Sequence, residues 1–227
     1  MFKKFVEQCS ARLPYGESLT KSLDRKTAQR EALIEAAERI IGAQGLQGLK
    51  ARDLAHAIGC SLGGVYNLVG DIDELILHVA SRTLRSLSEA MTAASHSDMA
   101  PEAQLSAIAI AYCRFAQAHQ PLWRALFEHR MGRDKTLPDW AINDQLGLFA
   151  HVAAPLRRLL PNADADSLNL LSRTLFSAVH GIVWIGLDEK LVAVPVAALE
   201  GQIETLVCAA CRGLAEEKAF SHSRGNA

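Results

Sequence analysis

Lys50-Ala51-Arg52-Asp53-Leu54-Ala55-His56-Ala57-Ile58-Gly59-Cys60-Ser61-Leu62-Gly63-Gly64-Val65-Tyr66-Asn67-Leu68 is the stretch on which the reading of this chain turns. Ala51, Leu54, Ala55 and Ile58 recur at three- and four-residue steps, the inward face of a short helix that leaves Lys50, Arg52, Asp53 and His56 outside. Gly59-Cys60 makes a turn, Ser61 brings a hydroxyl suited to capping, and Leu62 to Leu68 supplies the next helix. Two short helices joined by a three- to four-residue turn containing glycine have helix-turn-helix geometry, in which the second enters the major groove of DNA. Upstream, a longer stripe from Thr27 to Gln44 repeats Leu33, Ala36, Ala37, Ile40 and Ile41 on one face, and Gly45 stops it.

Gly63 and Gly64 lie inside the reading helix itself, where each costs roughly 1 kcal/mol relative to alanine and needs a reason. Close approach to a DNA backbone supplies one; a loose turn in an ordinary helical bundle supplies another. Together, Arg30, Leu33-Ile34-Glu35-Ala36-Ala37, Gly45, Arg52-Asp53-Leu54-Ala55, Gly59-Cys60-Ser61, Gly63, Tyr66 and Asp73-Glu74-Leu75 resemble the amino-terminal domain of the TetR/AcrR-type transcriptional regulators. The chain departs from that pattern at Leu68 and Ile72, apolar side chains where the family carries phosphate-contacting groups. Pro121-Leu122-Trp123-Arg124-Ala125-Leu126-Phe127 and Leu175-Phe176-Ser177-Ala178-Val179-His180-Gly181-Ile182 are similar to the carboxy-terminal domain named for its tryptophan, histidine and glycine, the WHG type. The resemblance implies a DNA-binding regulator, a homodimer on a palindromic operator, and repression relieved by a small-molecule effector.

Composition agrees with a globular protein. The chain has 227 residues, 49% hydrophobic and 22% charged, enough apolar material for a full core and none of the bias of a disordered segment. Its net charge of −1 hides an asymmetry. Residues 1–30 hold seven basic and three acidic side chains, the remainder 17 and 22, so the start is positive and the bulk negative. That split suits a chain whose one end meets phosphates. Lys3, Lys4 and Arg12 read as a solvated tail within a basic extension over 1–24; Arg25, Lys26 and Arg30, at the expected mouth of the first helix, read as phosphate contacts. In the head itself, Lys50, Ser61 and Tyr66 are expected to hold phosphates, Asn67 and Arg52 to reach base edges, and Leu62, Gly63 and Gly64 to let the helix approach.

The head is expected over 25–70 and an all-α bundle over 71–227, because no segment alternates with period two. A long helix opens at Asp71-Ile72-Asp73-Glu74 with acids in its first turn, Pro101 and Pro138 start two more, and two helices close the chain at about Ser167–Leu187 and Val196–Leu214. Leu168, Leu171, Leu175, Val179 and Ile182 stripe one of these, while Ser172, Ser177, Ala178, Gly181 and Gly186 keep its other faces small; Val196, Leu199, Ile203, Leu206 and Ala210 stripe the other. Such faces either close an internal core or meet a second copy around a two-fold axis; the dimer reading selects Ser177, Ala178, Gly181, Ile203, Leu206 and Ala210.

Tyr112, Phe115, Trp123, Phe127, Phe149, His151, His180 and Trp184 are candidates to line an effector cavity, and equally candidates for plain core. Five cysteines, odd in number and embedded in helical patterns, argue against a disulfide framework and for a reducing, cytoplasmic setting. Cys208-Ala209-Ala210-Cys211 has redox or metal spacing without a second ligand pair, so no metal or cofactor is expected. No run nears the ~18 apolar residues of a membrane span. Enzymatic signatures are missing: no HExxH, no glycine loop after a strand, no nucleophile elbow. The alternative is an all-helical small-molecule-binding protein or enzyme that has lost DNA binding.

Overall fold

The computed structural model describes residues 14–132, 134–189 and 192–224, with side chains between 23 and 216. Among these residues it contains α-helices, two short 3-10 turns and no strand, and the chain divides into two compact units, residues 1–76 and 77–227.

In the first unit, α1 (Pro14–Gln44), α2 (Ala51–Ala57) and α3 (Leu62–Val69) pack around a small core. The helix expected to begin at Thr27 begins at Pro14 instead, so half of the expected basic extension is helical. The Thr27 hydroxyl donates to the Leu23 carbonyl at 3.0 Å, the satisfaction of a mid-helix threonine rather than of a cap. Arg25 and Lys26 are therefore exposed mid-helix residues, not residues at a helix mouth. Lys3, Lys4 and Arg12 fall outside the described residues. Gly45, at φ 72°, ends α1 in a conformation only glycine adopts without strain. The apolar stripe turns inward as its spacing predicts: Leu33, Ala37, Ile41, Leu54, Val65 and Leu75 are buried with Val69. Each leucine so buried contributes about 1.5–3 kcal/mol, which is how helices as short as α2 and α3 persist.

α4 (Ile72–Ala94) begins in the first unit and continues in the second. Asp71 opens it, its Oδ1 accepting from the Glu74 N–H at 2.9 Å. In the second unit α5 (Pro101–Ala118) is central, packing on α7 (Asp139–Leu159), α8 (Ala165–Gly186) and α9 (Leu199–Arg224), with α6 (Gln120–Glu128) against its end. Asp164 caps α8 by accepting from the Ser167 N–H at 2.8 Å. Leu105, Ile108, Tyr112, Trp123, Leu156 and Val183 are among the residues of one continuous core. Arg114 on α5 forks onto Glu200 on α9 through two bonds of 2.9 and 2.8 Å, and that contact holds the Glu200 carboxyl below its ordinary value.

By length and composition α8 would suffice to cross a membrane. One side of it, Leu168, Ser172, Val179 and Val183, is buried in the bundle, while Leu170 and Ile185 lie exposed on the other.

Candidate nucleic-acid interface and apolar core

The turn between α2 and α3 is built as its sequence predicts. Gly59 sits at φ 66°, the Cys60 N–H returns to the Ala55 carbonyl at 2.9 Å, and Ser61 Oγ accepts from the Gly64 N–H at 3.1 Å. Val65 and Val69 anchor α3 in the core. The opposite face carries Leu62 (44% exposed), Gly63, Tyr66 (43% exposed) and Asn67, and beside it Lys50 and Arg52 stand exposed at the start of α2. Leu62, Gly63, Tyr66 and Asn67 share one outward face of α3, a helix whose sequence holds no acid.

The two glycines have different causes. A Cβ on Gly64 would stand 3.3 Å from the Cβ and Sγ of Cys60, so Gly64 is there to let α3 close on the turn. A Cβ on Gly63 would meet nothing within 4 Å. Packing within the protein gives Gly63 no reason to be glycine.

Arg30 Nη2 donates to Glu74 Oε1 at 3.2 Å, tying α1 to the first turn of α4, while its side chain stays partly exposed.

In the second unit, Tyr112, Trp123, Phe127, His180 and Trp184 gather as expected and bring in Phe176, which the stripe reading misses because it lies one residue beyond Leu175. His180 is the hub, with Phe127 at 4.3 Å, Trp123 at 5.4 Å, Phe176 at 5.5 Å and Trp184 at 5.6 Å between ring centroids. Trp123 Nε1 donates to the Tyr112 hydroxyl at 2.9 Å, which leaves the phenolic proton for His180 Nδ1 at 2.7 Å. Burial pushes the Tyr112 hydroxyl up and the His180 imidazole down, so a neutral ring accepts from a neutral phenol. Arg124 on α6 closes the cluster, 4.9 Å from the Trp184 centroid and paired with Asp188.

These rings fill space more than they enclose it. The void beside Tyr112, bounded by Met91, Ile108, Val152, Leu175 and Phe176, measures about 30 Å³, room for about two waters, whereas ligand sites run to several hundred Å³. Two candidates fall outside the cluster. Phe115 packs on His119, with ring centroids 4.7 Å apart, beside an open alanine-lined groove. His151 Nε2 bonds Ser88 Oγ at 2.7 Å, tying α7 to α4, and burial lowers its pKa. Among the described residues Phe149 joins the cluster through Phe176, edge to face at 5.4 Å.

A family described as tetracyclin repressor-like, C-terminal domain, matches residues 105–209. No curated protein matches the chain. Among solved structures, a protein of unknown function from Rhodococcus sp. RHA1 is 21% identical with a TM-score of 0.64, covering 82% of this chain and 94% of that one. A TetR-family transcriptional regulator from Streptomyces coelicolor is 19% identical with a TM-score of 0.64, over 88% and 86%. The TetR-family regulator PfmR from Thermus thermophilus is 18% identical with a TM-score of 0.53, over 79% and 94%. Residues 105–209 thus match a tetracyclin repressor-like carboxy-terminal domain, and the chain shares the fold of these regulators. The matching family carries the general description, not the narrower one built on tryptophan, histidine and glycine.

Within the second unit, the expected dimer residues separate into two groups. Ala178 is exposed and a Cβ on Gly181 would meet nothing within 4 Å, so this face of α8 is open to a partner, whereas Ser177, also exposed, lines a groove against α7. Leu206 and Ala210 on α9 are half-buried. Ile203 is a correction: it is fully buried in the protomer's own core and cannot meet a second copy. Ser172 and Gly186 also face inward. A Cβ on Gly186 would come within 2.5 Å of Leu199 Cδ2, so that glycine serves the packing of α8 on α9. Burial raises the Cys113 and Cys211 thiols to about 11, and Cys60 and Cys208 are free as well. Cys208-Ala209-Ala210-Cys211 lies within α9, with Cys211 buried in the core and Cys208 half-buried.

Proposed function

We propose that this chain is a cytoplasmic DNA-binding transcriptional repressor, active as a homodimer on a palindromic operator and released by a small apolar or aromatic effector. One observation carries the DNA reading: α3 is anchored by Val65 and Val69 while Leu62, Gly63, Tyr66 and Asn67 face outward with no packing duty. Asn67 is the amide side chain of α3 and suits an adenine edge; Arg52 suits a guanine at the groove's rim. Lys50, Ser61 and Tyr66, with Arg25 and Lys26 along α1, serve phosphates and set orientation. Leu170, Ala178, Gly181 and Ile185 make the outer face of α8 apolar and small, the character of an isologous helix contact, and a second head is needed to read enough bases.

Release works through α4, whose first residues belong to the head and the rest to the second unit. Half-site readers must stand about one helical turn, roughly 34 Å, or a multiple apart, so displacing α4 by a few ångströms uncouples the two heads. A coupling of about 1–3 kcal/mol is enough, and operator must weaken effector binding by the same factor.

The second reading, a helical small-molecule-binding protein or enzyme without DNA binding, draws on the apolar Leu68 and Ile72. A gel shift with the DNA flanking the chain's own gene separates the two. A complex resistant to excess unrelated duplex supports the regulator; retardation of all duplexes alike, or of none, supports the other reading.

A further inference from the structure

Beside the aromatic cluster, between α7 and α8, runs an open groove of about 360 Å³ with Ile142, Leu146, Phe149 and Phe176 as its apolar wall. Its polar lining consists of Gln145, Arg173 and Ser177. Arg173 is exposed; its Nε donates to Asn169 Oδ1 at 3.3 Å, and its guanidinium carbon lies 5.9 Å from the Phe149 centroid. Among the described residues those partners are an amide and a ring, not a carboxylate. Asp144, the acid nearest in sequence to Gln145, accepts from Ser81 on the other side of α7.

We propose that this groove binds an aliphatic monocarboxylate, its carboxylate on Arg173 and its chain running inward past Phe149 and Phe176. A single guanidinium over an apolar wall, with an amide and a hydroxyl at hand, matches a carboxylate on an apolar body. A cationic amphiphile finds no acid in the lining, and a phosphate monoester finds one cation for its two charges. The depth comes from Phe176, which walls both this groove and the 30 Å³ void bounded by Ile108, Val152 and Val207. Turning the Phe176 ring off its edge contacts with Phe149 and Tyr112 joins the two spaces. The void's aliphatic walls and the width of one displaced ring suit a slim methylene chain better than a fused ring system. Because Phe176 also stacks on His180, at 5.5 Å and 20°, occupancy disturbs the aromatic cluster. The assignment rests on the reading of the second unit as an effector domain and supplies the ligand's chemical class.

The test is titration of the full chain, followed by calorimetry and tryptophan emission, with decanoate, 1-decanol and decylamine below their aggregation limits. Decanoate is expected to bind best, and each methylene added from hexanoate to decanoate to tighten binding about fourfold. Arg173→Gln, at an exposed position, is expected to keep the fold by circular dichroism and to weaken decanoate about tenfold or more while leaving decanol unchanged. Equal binding of acid and alcohol, or decanoate binding indifferent to Arg173→Gln, overturns the proposal. Operator affinity is measured separately. Arg173-dependent binding that leaves operator affinity unchanged upholds the groove and defeats the effector reading; specific operator binding with no uptake of the acid defeats the groove and leaves the regulator reading standing.

Discussion

Replacing Gly63 with alanine separates what α3 does for the protein from what it does for DNA. The added Cβ meets no atom of the chain within 4 Å, so there is no steric cost to set against the better helix propensity of alanine. That preference is worth at most about 1 kcal/mol, which for a chain of this size raises Tm by roughly 2–4 °C. Toward DNA the same methyl stands on the outward face and pushes the helix away by about the 1.5 Å of a carbon–carbon bond, enough to break a charge-assisted backbone contact worth about 1.5–3 kcal/mol. The variant is therefore expected to be more stable by thermal melting and about ten- to 150-fold weaker in fluorescence anisotropy on its operator. Gly64→Ala is the control. Its Cβ lies 3.3 Å from two Cys60 atoms, so the same gain in helix propensity is offset by crowding and Tm should rise less than in Gly63→Ala. Wild-type operator affinity in a Gly63→Ala protein of undiminished stability refutes the close approach of α3.

Asn67→Ala should cost about 1–3 kcal/mol at one base position only, whereas Lys50→Ala should weaken all sequences alike and reduce the salt slope by about one unit; equal losses on operator and random duplex for both remove these assignments. Ala178→Arg sets a charge into the open face of α8 and is expected to yield monomers by sedimentation, so a variant that still runs as a dimer moves the interface elsewhere. Because burial lowers the His180 pKa, the unfolded chain takes up a proton at the ordinary value of 6.5 before the folded one does. Stability is then full above about pH 6.5 and falls as pH drops below it, and His180→Gln should flatten that fall in urea midpoints measured between pH 7 and 5; an unchanged slope would show that protonation of His180 is not what weakens the fold.

The head is legible in the sequence because its signals are local. Gly45, Gly59 and Ser61 fix turns and a cap through backbone geometry that few other residues provide, and the structure bears out each of them. The start of α1 is not legible, since the stretch before Thr27 has no apolar stripe, and Thr27 offers the same hydroxyl whether it caps a helix or returns to the Leu23 carbonyl. Arg30 illustrates a second limit: its charge is visible in sequence, but Glu74 is 44 residues away and only folding joins them. In the second unit, periodicity identifies buried faces without saying what buries them. Ile203 and Gly186 face their own protomer and Gly181 faces outward, although all three sit in small or apolar stripes. Aromatic content likewise does not distinguish rings that surround a space from rings that fill it, and Phe176, where groove and void meet, carries no mark in sequence.

The most direct test is an anisotropy titration at about 150 mM salt that compares the duplex flanking the chain's own gene with a scrambled duplex of equal length. One dimer per site is expected, with a preference of about a thousandfold or more that falls steeply as salt rises. Equal affinity for the two duplexes would contradict sequence-specific DNA binding by this chain.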